Sequence, residues 1–269
     1  MTEIWQRFDQ AASTYEVASV LQQQSAQALL TWMGPQAAGS VWLDAGCGTG
    51  WLTRQLADQG LRVWAIDRAL NMLQGLRSLD QVQIICADLR ELPLPDGMLD
   101  GLVSNFVLHW LDVNILPELL RVVRPQGELY VALPVQGSLH DVQARFAGFP
   151  VFDFQPEQAW LDAAGPALVD WQIMTVQQSF ACLRDLLRAL RQMGGNQTLN
   201  KNLNQSSAEQ QSVAAATMRT WLQDDQPVNL DFRVLMLHLR VPVSADADAG
   251  PDRFLALMNQ LNADPRFHD

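Results

Sequence analysis

The sequence predicts an α/β fold, a parallel sheet with helices on both faces. Two observations predict it. Short apolar segments alternate with amphipathic helical segments between residues 40 and 134. Parallel strands produce this alternation, because each crossover between them needs a helix that packs on the sheet. In addition, three glycines within Gly46–Gly50 follow the first apolar segment and precede a helical one, as in sheets that bind a ligand at the strand ends.

Hydrophobic period and turn residues predict the individual elements. Residues 2–33 have a helical pattern that ends at Gly34 and Pro35, two residues that terminate helices. In the first half we expect strands at Ser40–Ala45, Leu61–Ile66, Val82–Ala87, Leu99–Asn105 and Glu128–Leu133, and helices at Trp51–Gln59, Ala69–Leu79 and Asn114–Val123. In the second half we expect helices within 137–146, 157–165, 181–193, 212–222 and 253–261, strands at 167–180 and 228–241, and a polar loop before the fourth of these helices.

Composition narrows the class of function. The net charge of −11 over 269 residues disfavours general nucleic-acid binding, which needs a basic surface. The three cysteines, Cys47, Cys86 and Cys182, are odd in number and widely spaced, so we expect neither a disulfide framework nor a metal cluster. No segment has the length of a membrane span, and the first sixteen residues lack a signal-peptide pattern. We therefore expect a cytoplasmic protein without a membrane partner.

The glycine-rich turn leaves two classes of ligand to compare. Dinucleotide sites space their glycines as G-x-G-x-x-G, with an acid about 20 residues later. Here the spacing is G-x-G-x-G at Gly46, Gly48 and Gly50, with Asp44 inside the preceding strand. A nucleoside that carries an amino-acid arm needs no phosphate cradle. It needs acceptors for its amine and its ribose, and this spacing favours such a ligand.

Acidic residues stand at the ends of three successive predicted strands. Asp44 closes the first, Asp67 the second, and Asp88 follows the third. Open α/β sheets bind ligands at this carboxyl edge. We assign Asp44 to an amine, Asp67 to the ribose hydroxyls and Asp88 to an adenine 6-amino group.

The ordered set of motifs resembles the class I S-adenosylmethionine-dependent methyltransferases. It covers about residues 41–134 and consists of VWLDAGCGTG, AIDRALNML, ADLRELPLPDGMLD and RVVRPQGELY. A narrower set is similar to the malonyl-[acyl-carrier protein] O-methyltransferase family of biotin synthesis, and consists of FDQAASTYEVASVLQQQSA, SNFVLHWLD, VQGSLHDV and LRALRQMGGNQ. The resemblance implies S-adenosyl-L-methionine as cofactor and a Rossmann-like sheet of seven strands, mostly parallel, with the last strand antiparallel.

The resemblance also implies a domain plan. A methyltransferase domain would cover 1–242, followed by a C-terminal tail at 243–269. Within the domain we expect N-terminal helices at 1–35, the cofactor-binding core at 36–134, a helical lid and substrate region with a further strand at 135–227, and the final strand at 228–242.

Site residues follow from the strand ends and from the resemblance together. Tyr15 and Gln22 would lie over the cofactor, and Asn105, Leu108 and Trp110 near the methyl group. The expected cofactor contacts are Tyr15, Gln22, Asp44, Gly46, Cys47, Gly48, Gly50, Asp67, Arg68, Met72, Ala87, Asp88, Leu89, Asn105, Phe106 and Leu108. The expected substrate-positioning residues are Tyr15, Asn105, Trp110, Arg145, Arg188 and Arg191.

The expected chemistry requires no general base. A malonyl carboxylate is already ionised at neutral pH, because carboxylic acids have pKa values near about 4. His109 would be a base only for a phenol or amine acceptor, and otherwise a packed histidine beside Trp110. Arg184, Arg188 and Arg191 share one helix face by spacing, which is either a solvated surface or the docking face for an acidic acyl-carrier protein.

Three functions therefore remain open from the sequence. The first is O-methylation of the free carboxylate of malonyl-[acyl-carrier protein]. The second keeps the cofactor but methylates another small molecule, such as a quinone precursor or a free acid. The third is a cofactor-binding protein without catalysis, which the intact motif order disfavours.

Overall fold

The structure is a computed structural model, which describes residues 6, 9, 19–146, 149, 152–192 and 217–243, with only the backbone at 191 and 192. Tyr15, the predicted loop after residue 193 and the predicted tail beyond Val243 lie outside the described residues. The strands are β1 (Val41–Ala45), β2 (Arg62–Asp67), β3 (Val82–Cys86), β4 (Leu99–Asn105), β5 (Val123–Pro134), β6 (Leu168–Phe180) and β7 (Val228–Arg240). The helices are α1 (Val20–Met33), α2 (Trp51–Asp58), α3 (Leu70–Leu73), α4 (Leu116–Arg121), α5 (His140–Arg145), α6 (Glu157–Ala164) and α7 (Leu183–Gln192).

All seven strands form one sheet in the order β3-β2-β1-β4-β5-β7-β6. The pairs β1 with β2, β1 with β4, β2 with β3 and β4 with β5 are parallel. Strand β7 lies between β5 and β6 and is antiparallel to both. The predicted seven-stranded sheet with an antiparallel last strand is confirmed. The strand order reverses between β1 and β4, where α/β sheets of this kind bind ligands.

Both faces of the central strands are buried. Trp42 of β1 packs in one hydrophobic cluster and its neighbour Leu43 in another, on opposite sides of the sheet. Strands buried on both faces have continuous apolar sequences, and VWLDA is such a run, interrupted only by Asp44. Among the described residues, no helix is both long and apolar enough to cross a membrane.

Three predicted elements differ from the structure by more than a residue or two at an end. The helix expected at Ala69–Leu79 is the single turn α3 followed by a 3₁₀ turn at Gln74–Leu76, and glycine at position 75 disfavours longer helix. The helix expected at Asn114–Val123 begins as a 3₁₀ turn and is α-helical only as α4. Strand β5 begins at Val123 instead of Glu128, because Val123 pairs with Leu99 before a register shift. Tertiary pairing extends this strand through a turn sequence.

Candidate active site

The glycine-rich turn joins β1 to α2 in a left-handed backbone. Gly46, Gly48 and Gly50 have φ values of 76°, 53° and 81°, a region that favours glycine. A Cβ at Gly46 would lie 2.5 Å from a Val107 methyl group, and one at Gly50 would lie 2.2 Å from Leu76. Glycine is therefore favoured at 46 and 50 by packing within the protein as well as by φ.

Asp67 anchors this turn from the end of β2. Its Oδ2 accepts the Gly48 N–H at 2.9 Å and its Oδ1 accepts the Ala69 N–H at 2.8 Å. Burial raises the pKa of Asp67, and the backbone hydrogen bonds oppose that rise. Each carboxylate oxygen has a second lone pair. Asp67 therefore retains acceptor capacity for two hydroxyl groups, as a ribose would require.

Asp44 is buried beneath the same turn. The Thr53 hydroxyl of α2 donates to Asp44 Oδ2 at 2.6 Å. Burial, aided by the charge of Asp67, raises the pKa of Asp44 to about 7 against the lowering effect of the hydrogen bond from Thr53. A cationic group placed here would favour the ionised carboxylate. Asp44 thus suits the amine of a ligand held by the turn.

Asp88 lies at the rim, after the end of β3. Arg90 binds both of its oxygens, with Nε to Oδ1 at 2.9 Å and Nη2 to Oδ2 at 2.6 Å. Arg68 Nη1 lies 3.0 Å from the same Oδ2. The Arg90 hydrogen bonds hold the pKa of Asp88 below its usual value. An adenine amine would share this carboxylate with two arginines, which the sequence analysis did not foresee.

Asn105, the last residue of β4, is bound to helix α1. Ser25 Oγ donates to Asn105 Oδ1 at 2.7 Å, and Asn105 Nδ2 donates to the carbonyl oxygen of Gln22 at 2.9 Å. The helix thereby crosses the carboxyl edge of the sheet beside β4. Ser25 was not among the predicted site residues, although its spacing of four from Leu21 and Leu29 places a polar residue on the buried face.

An aromatic cluster follows β4. The His109 ring lies 4.5 Å from Trp110 and 5.6 Å from Phe154 between ring centroids. Phe106, Phe152 and Phe232 complete the cluster. Burial lowers the pKa of His109 to about 3, so the imidazole is neutral at physiological pH.

Some of the other predicted cofactor contacts lie at the carboxyl edge of the sheet, and others are buried in the hydrophobic core. Cys47 is a free thiol in the turn whose pKa is raised by burial. Arg68 and Ala87 follow β2 and β3 directly, Met72 is buried in α3, and Leu89 is buried after β3. Leu108 is fully buried in the hydrophobic core, so its side chain packs against protein.

Comparison with known proteins places this geometry in a family. A family profile described as a methyltransferase domain matches residues 43–131. The malonyl-[acyl-carrier protein] O-methyltransferase of Pseudescherichia vulneris is 34% identical over 195 residues, which cover 70% of this chain and 76% of that protein. The protein of the same name from Salmonella typhimurium is 35% identical over 196 residues, with the same coverage of 70% and 76%. The chain belongs to the malonyl-[acyl-carrier protein] O-methyltransferase family.

Other relatives match over a shorter length. The family member from Serratia marcescens is 36% identical over 138 residues, which cover 50% of this chain and 54% of that protein. The chain thus spans about half the length of this relative. Among solved structures, phosphoethanolamine N-methyltransferase 2 of Haemonchus contortus has a TM-score of 0.57 at 18% identity, over 90% of this chain and 61% of that one. The predicted Rossmann-like methyltransferase fold is confirmed.

Among the arginines predicted to contact the substrate or the carrier protein, the three whose side chains the structure describes are each paired with an aspartate. Arg145 of α5 binds Asp224 through two nitrogens, with Nε 2.8 Å from Oδ2, and also donates to the Pro227 carbonyl oxygen. Arg184 of α7 pairs with Asp225. Arg188 pairs with Asp185 at 2.9 Å. The side chain of Arg191 lies outside the described residues. The structure therefore gives Arg145 a structural partner and leaves its substrate role a prediction.

The site as a whole joins two halves. The turn with Asp44 and Asp67 suits a nucleoside with an amino-acid arm, and the segment from Asn105 to Trp110 provides the neighbouring wall. Val107 packs directly on Gly46, so the two halves touch. In the described ranges, no group of three or more metal-ligating side chains could hold a metal ion.

Proposed function

We propose that the chain binds S-adenosyl-L-methionine at the β1–α2 turn and methylates the free carboxylate of a malonyl thioester carried by acyl-carrier protein. One observation carries the cofactor half of this proposal: Asp44 and Asp67 converge on the glycine turn, one suited to an amine and the other to ribose hydroxyls. The family relatives are named for the carrier-bound substrate. We further propose the cytoplasm as the location of the activity.

Three acids at the strand ends would each hold a different part of the cofactor. Asp67 would accept from its ribose, Asp44 from its ammonium group, and Asp88 from its adenine amine. When bound, the cofactor supplies a methyl group activated by a sulfonium. The chain orients the acceptor and excludes water, and orientation alone contributes up to about 7–11 kcal/mol to such reactions.

A carboxylate acceptor suits this site better than a phenol or an amine. Carboxylates are ionised at neutral pH, so no proton has to be removed before the transfer. His109 is the buried histidine nearest in sequence to the β4 end, and its low pKa of about 3 makes it a weak base. General bases work best with a pKa near the operating pH.

The acyl-carrier protein is the proposed partner, and α7 is its proposed docking face. Arg184 and Arg188 are exposed there, with 56% and 70% of their side chains accessible. Arg191 continues the same face by spacing. The segment 135–227 would then act as the predicted substrate and lid region. The pairing of Arg184 and Arg188 with aspartates should lower the affinity of this face for the carrier protein, because a carrier carboxylate would compete with Asp225 and Asp185.

The decisive experiment compares acceptors with one cofactor. We would incubate the full chain with methyl-labelled S-adenosylmethionine and, separately, malonyl-carrier protein, malonyl-coenzyme A and free malonate. We expect label in a base-labile ester on malonyl-carrier protein, with a higher kcat/KM than for malonyl-coenzyme A. Labelling of none of the malonyl substrates, while the cofactor binds in calorimetry, would overturn the proposed acceptor.

A further inference from the structure

The His109 ring carries a buried polar atom without a hydrogen-bond partner. Its Nδ1 is inaccessible to solvent and makes no hydrogen bond to the part of the chain that the structure describes. The residue as a whole is 9% exposed. Buried polar groups are nearly always paired, because an unpaired one destabilises the fold. An unpaired group that persists beside a candidate active site therefore suggests a ligand.

The position of His109 connects this atom to the site. The residue belongs to a 3₁₀ turn, Leu108–Trp110, that starts three residues after the end of β4. Val107 in the same segment packs on Gly46 of the cofactor turn. Trp110 and Phe152, which flank the imidazole, are each only partly buried. The imidazole is therefore flanked by side chains that reach the protein surface.

The surroundings specify what kind of group would bind. The ring centroids of Phe152 and Phe154 lie 5.9 Å and 5.6 Å from that of His109. Such a setting excludes water and strengthens a hydrogen bond made inside it. Burial holds the imidazole neutral, and a neutral imidazole carries one N–H. An oxygen acceptor selects the tautomer with that proton on Nδ1.

We propose that Nδ1–H of His109 donates a hydrogen bond to an oxygen of the malonyl group and thereby orients its carboxylate for methyl transfer. This inference rests on the proposed function, whose substrate it uses. His109 takes no proton in this role. A neutral donor fixes an oxygen without neutralising the attacking carboxylate, which a cation in the same place would do.

Other buried unpaired nitrogens do not share this setting. Trp160 Nε1 in α6 is also without a hydrogen bond to the described residues, but Trp160 packs in the hydrophobic cluster on the other face of the sheet from Phe106 and Phe154. His238 Nε2 lies 3.3 Å from a Glu128 oxygen. Trp160 therefore provides a control for the removal of an unpaired buried N–H.

The test compares three substitutions of His109. His109→Phe keeps a ring without nitrogen, His109→Leu is smaller and apolar, and His109→Asn places an amide near the position of Nδ1. For each we would measure the melting temperature, the Kd for S-adenosylhomocysteine, and kcat and KM with malonyl-carrier protein. Trp160→Phe is the control, with unchanged kinetics expected.

We expect His109→Phe and His109→Leu to reduce kcat/KM roughly 10- to 100-fold, the range for a hydrogen bond to a charged group. Their melting temperatures should equal or exceed that of the wild type, with an unchanged cofactor Kd. His109→Asn should recover most of the activity. If a folded apolar variant keeps full kcat/KM, or His109→Asn is as impaired as His109→Phe, the inference is overturned. A wild type that cannot methylate malonyl-carrier protein would instead overturn the proposed function and this inference with it.

Discussion

Asp44 and Asp67 are two acids at the glycine turn, and we propose that both contact the cofactor, so that their protonation would change when it binds. Burial raises the pKa of both carboxyls, that of Asp44 to about 7. Without the cofactor, folded Asp44 holds its proton more tightly than the unfolded chain does. The free energy of unfolding should therefore decrease as pH rises from about 4 to about 7. A bound ammonium group would reverse this preference.

We predict that affinity for S-adenosylhomocysteine increases as pH rises through about 7 and then levels off. The ligand ammonium needs ionised Asp44, so binding below this pH must release a proton. Calorimetry in buffers of different ionisation enthalpy measures that proton. Asp44→Asn should remove the pH dependence. Thr53→Val removes the hydrogen bond that lowers the pKa and should move the transition to higher pH. If the affinity of the Asp44→Asn variant still depends on pH in the same way, another group is responsible for the pH dependence.

Asp67→Ala should weaken cofactor binding at least tenfold. The substitution removes a ribose acceptor, and a hydrogen bond to a charged group contributes about 1.5–3 kcal/mol. It also releases the N–H groups of Gly48 and Ala69, so the melting temperature should fall as well. Asp58→Ala, which removes an exposed acid from the end of α2, controls for net charge. An unchanged Kd in Asp67→Ala would remove Asp67 from the cofactor site.

Helix α1 is held to the end of β4 by side chains far apart in sequence. The Ser25–Asn105 hydrogen bond joins residues 80 positions apart, and the Asn105 amide then reaches the backbone of Gln22. Both ends of this connection border the proposed cofactor site. Docking of α1 should therefore be coupled to the shape of the segment that follows β4.

We predict that Ser25→Ala lowers the free energy of unfolding by about 1–3 kcal/mol, because Asn105 loses the donor to its oxygen. The Kd for S-adenosylhomocysteine should increase several-fold. Thr31→Ala is the matched control in the same helix, since the Thr31 hydroxyl bonds only the exposed Gln27 carbonyl oxygen, and it should change stability by less than about 0.5 kcal/mol. Equal effects of the two substitutions would show that Ser25 has no special role.

The charge distribution over the protein bears on carrier recognition. An acidic carrier protein must approach an enzyme of net charge −11, so any productive encounter depends on local positive potential. The face of α7 supplies arginines, but Asp185 and Asp225 pair with two of them. Electrostatic steering of the carrier protein by this face should therefore be moderate and should decrease as the salt concentration rises.

Replacing Arg184 and Arg188 together by Glu should raise KM for malonyl-carrier protein severalfold and change KM for malonyl-coenzyme A far less. Rim charges act chiefly on encounter rates. The difference should shrink near 1 M salt, where the screening length is about 3 Å. Arg124→Glu is a suitable control, because Arg124 is also paired with an aspartate, Asp100, but at the start of β5. If the variant and the control have the same KM for malonyl-carrier protein, α7 is a solvated surface and not the docking face.

Local patterns in the sequence predicted the parallel part of the sheet. Alternating apolar and helical segments predicted the five strands between residues 40 and 134, because burial on both faces of a parallel sheet demands continuous apolar runs. The two later strands were predicted from their own sequence segments, and the antiparallel last strand from the family resemblance. The glycine turn and the acids at Asp44, Asp67 and Asp88 were also visible, since strand ends follow one another at regular spacing. The predicted element boundaries were wrong where pairing with another strand extended an element. Strand β5 begins at Val123, for example, because Val123 pairs with Leu99.

The partners of polar side chains required the folded chain. Arg145 was predicted for the substrate, yet it binds Asp224, 79 positions away. The hydrogen bond of Ser25 to Asn105 and the enclosure of His109 by Phe152 and Phe154 also join distant segments. Periodicity predicts which face of an element is buried, because apolar residues at that spacing lie on one side of the element. It does not specify which charged or polar group meets another, because that depends on how separate elements are packed.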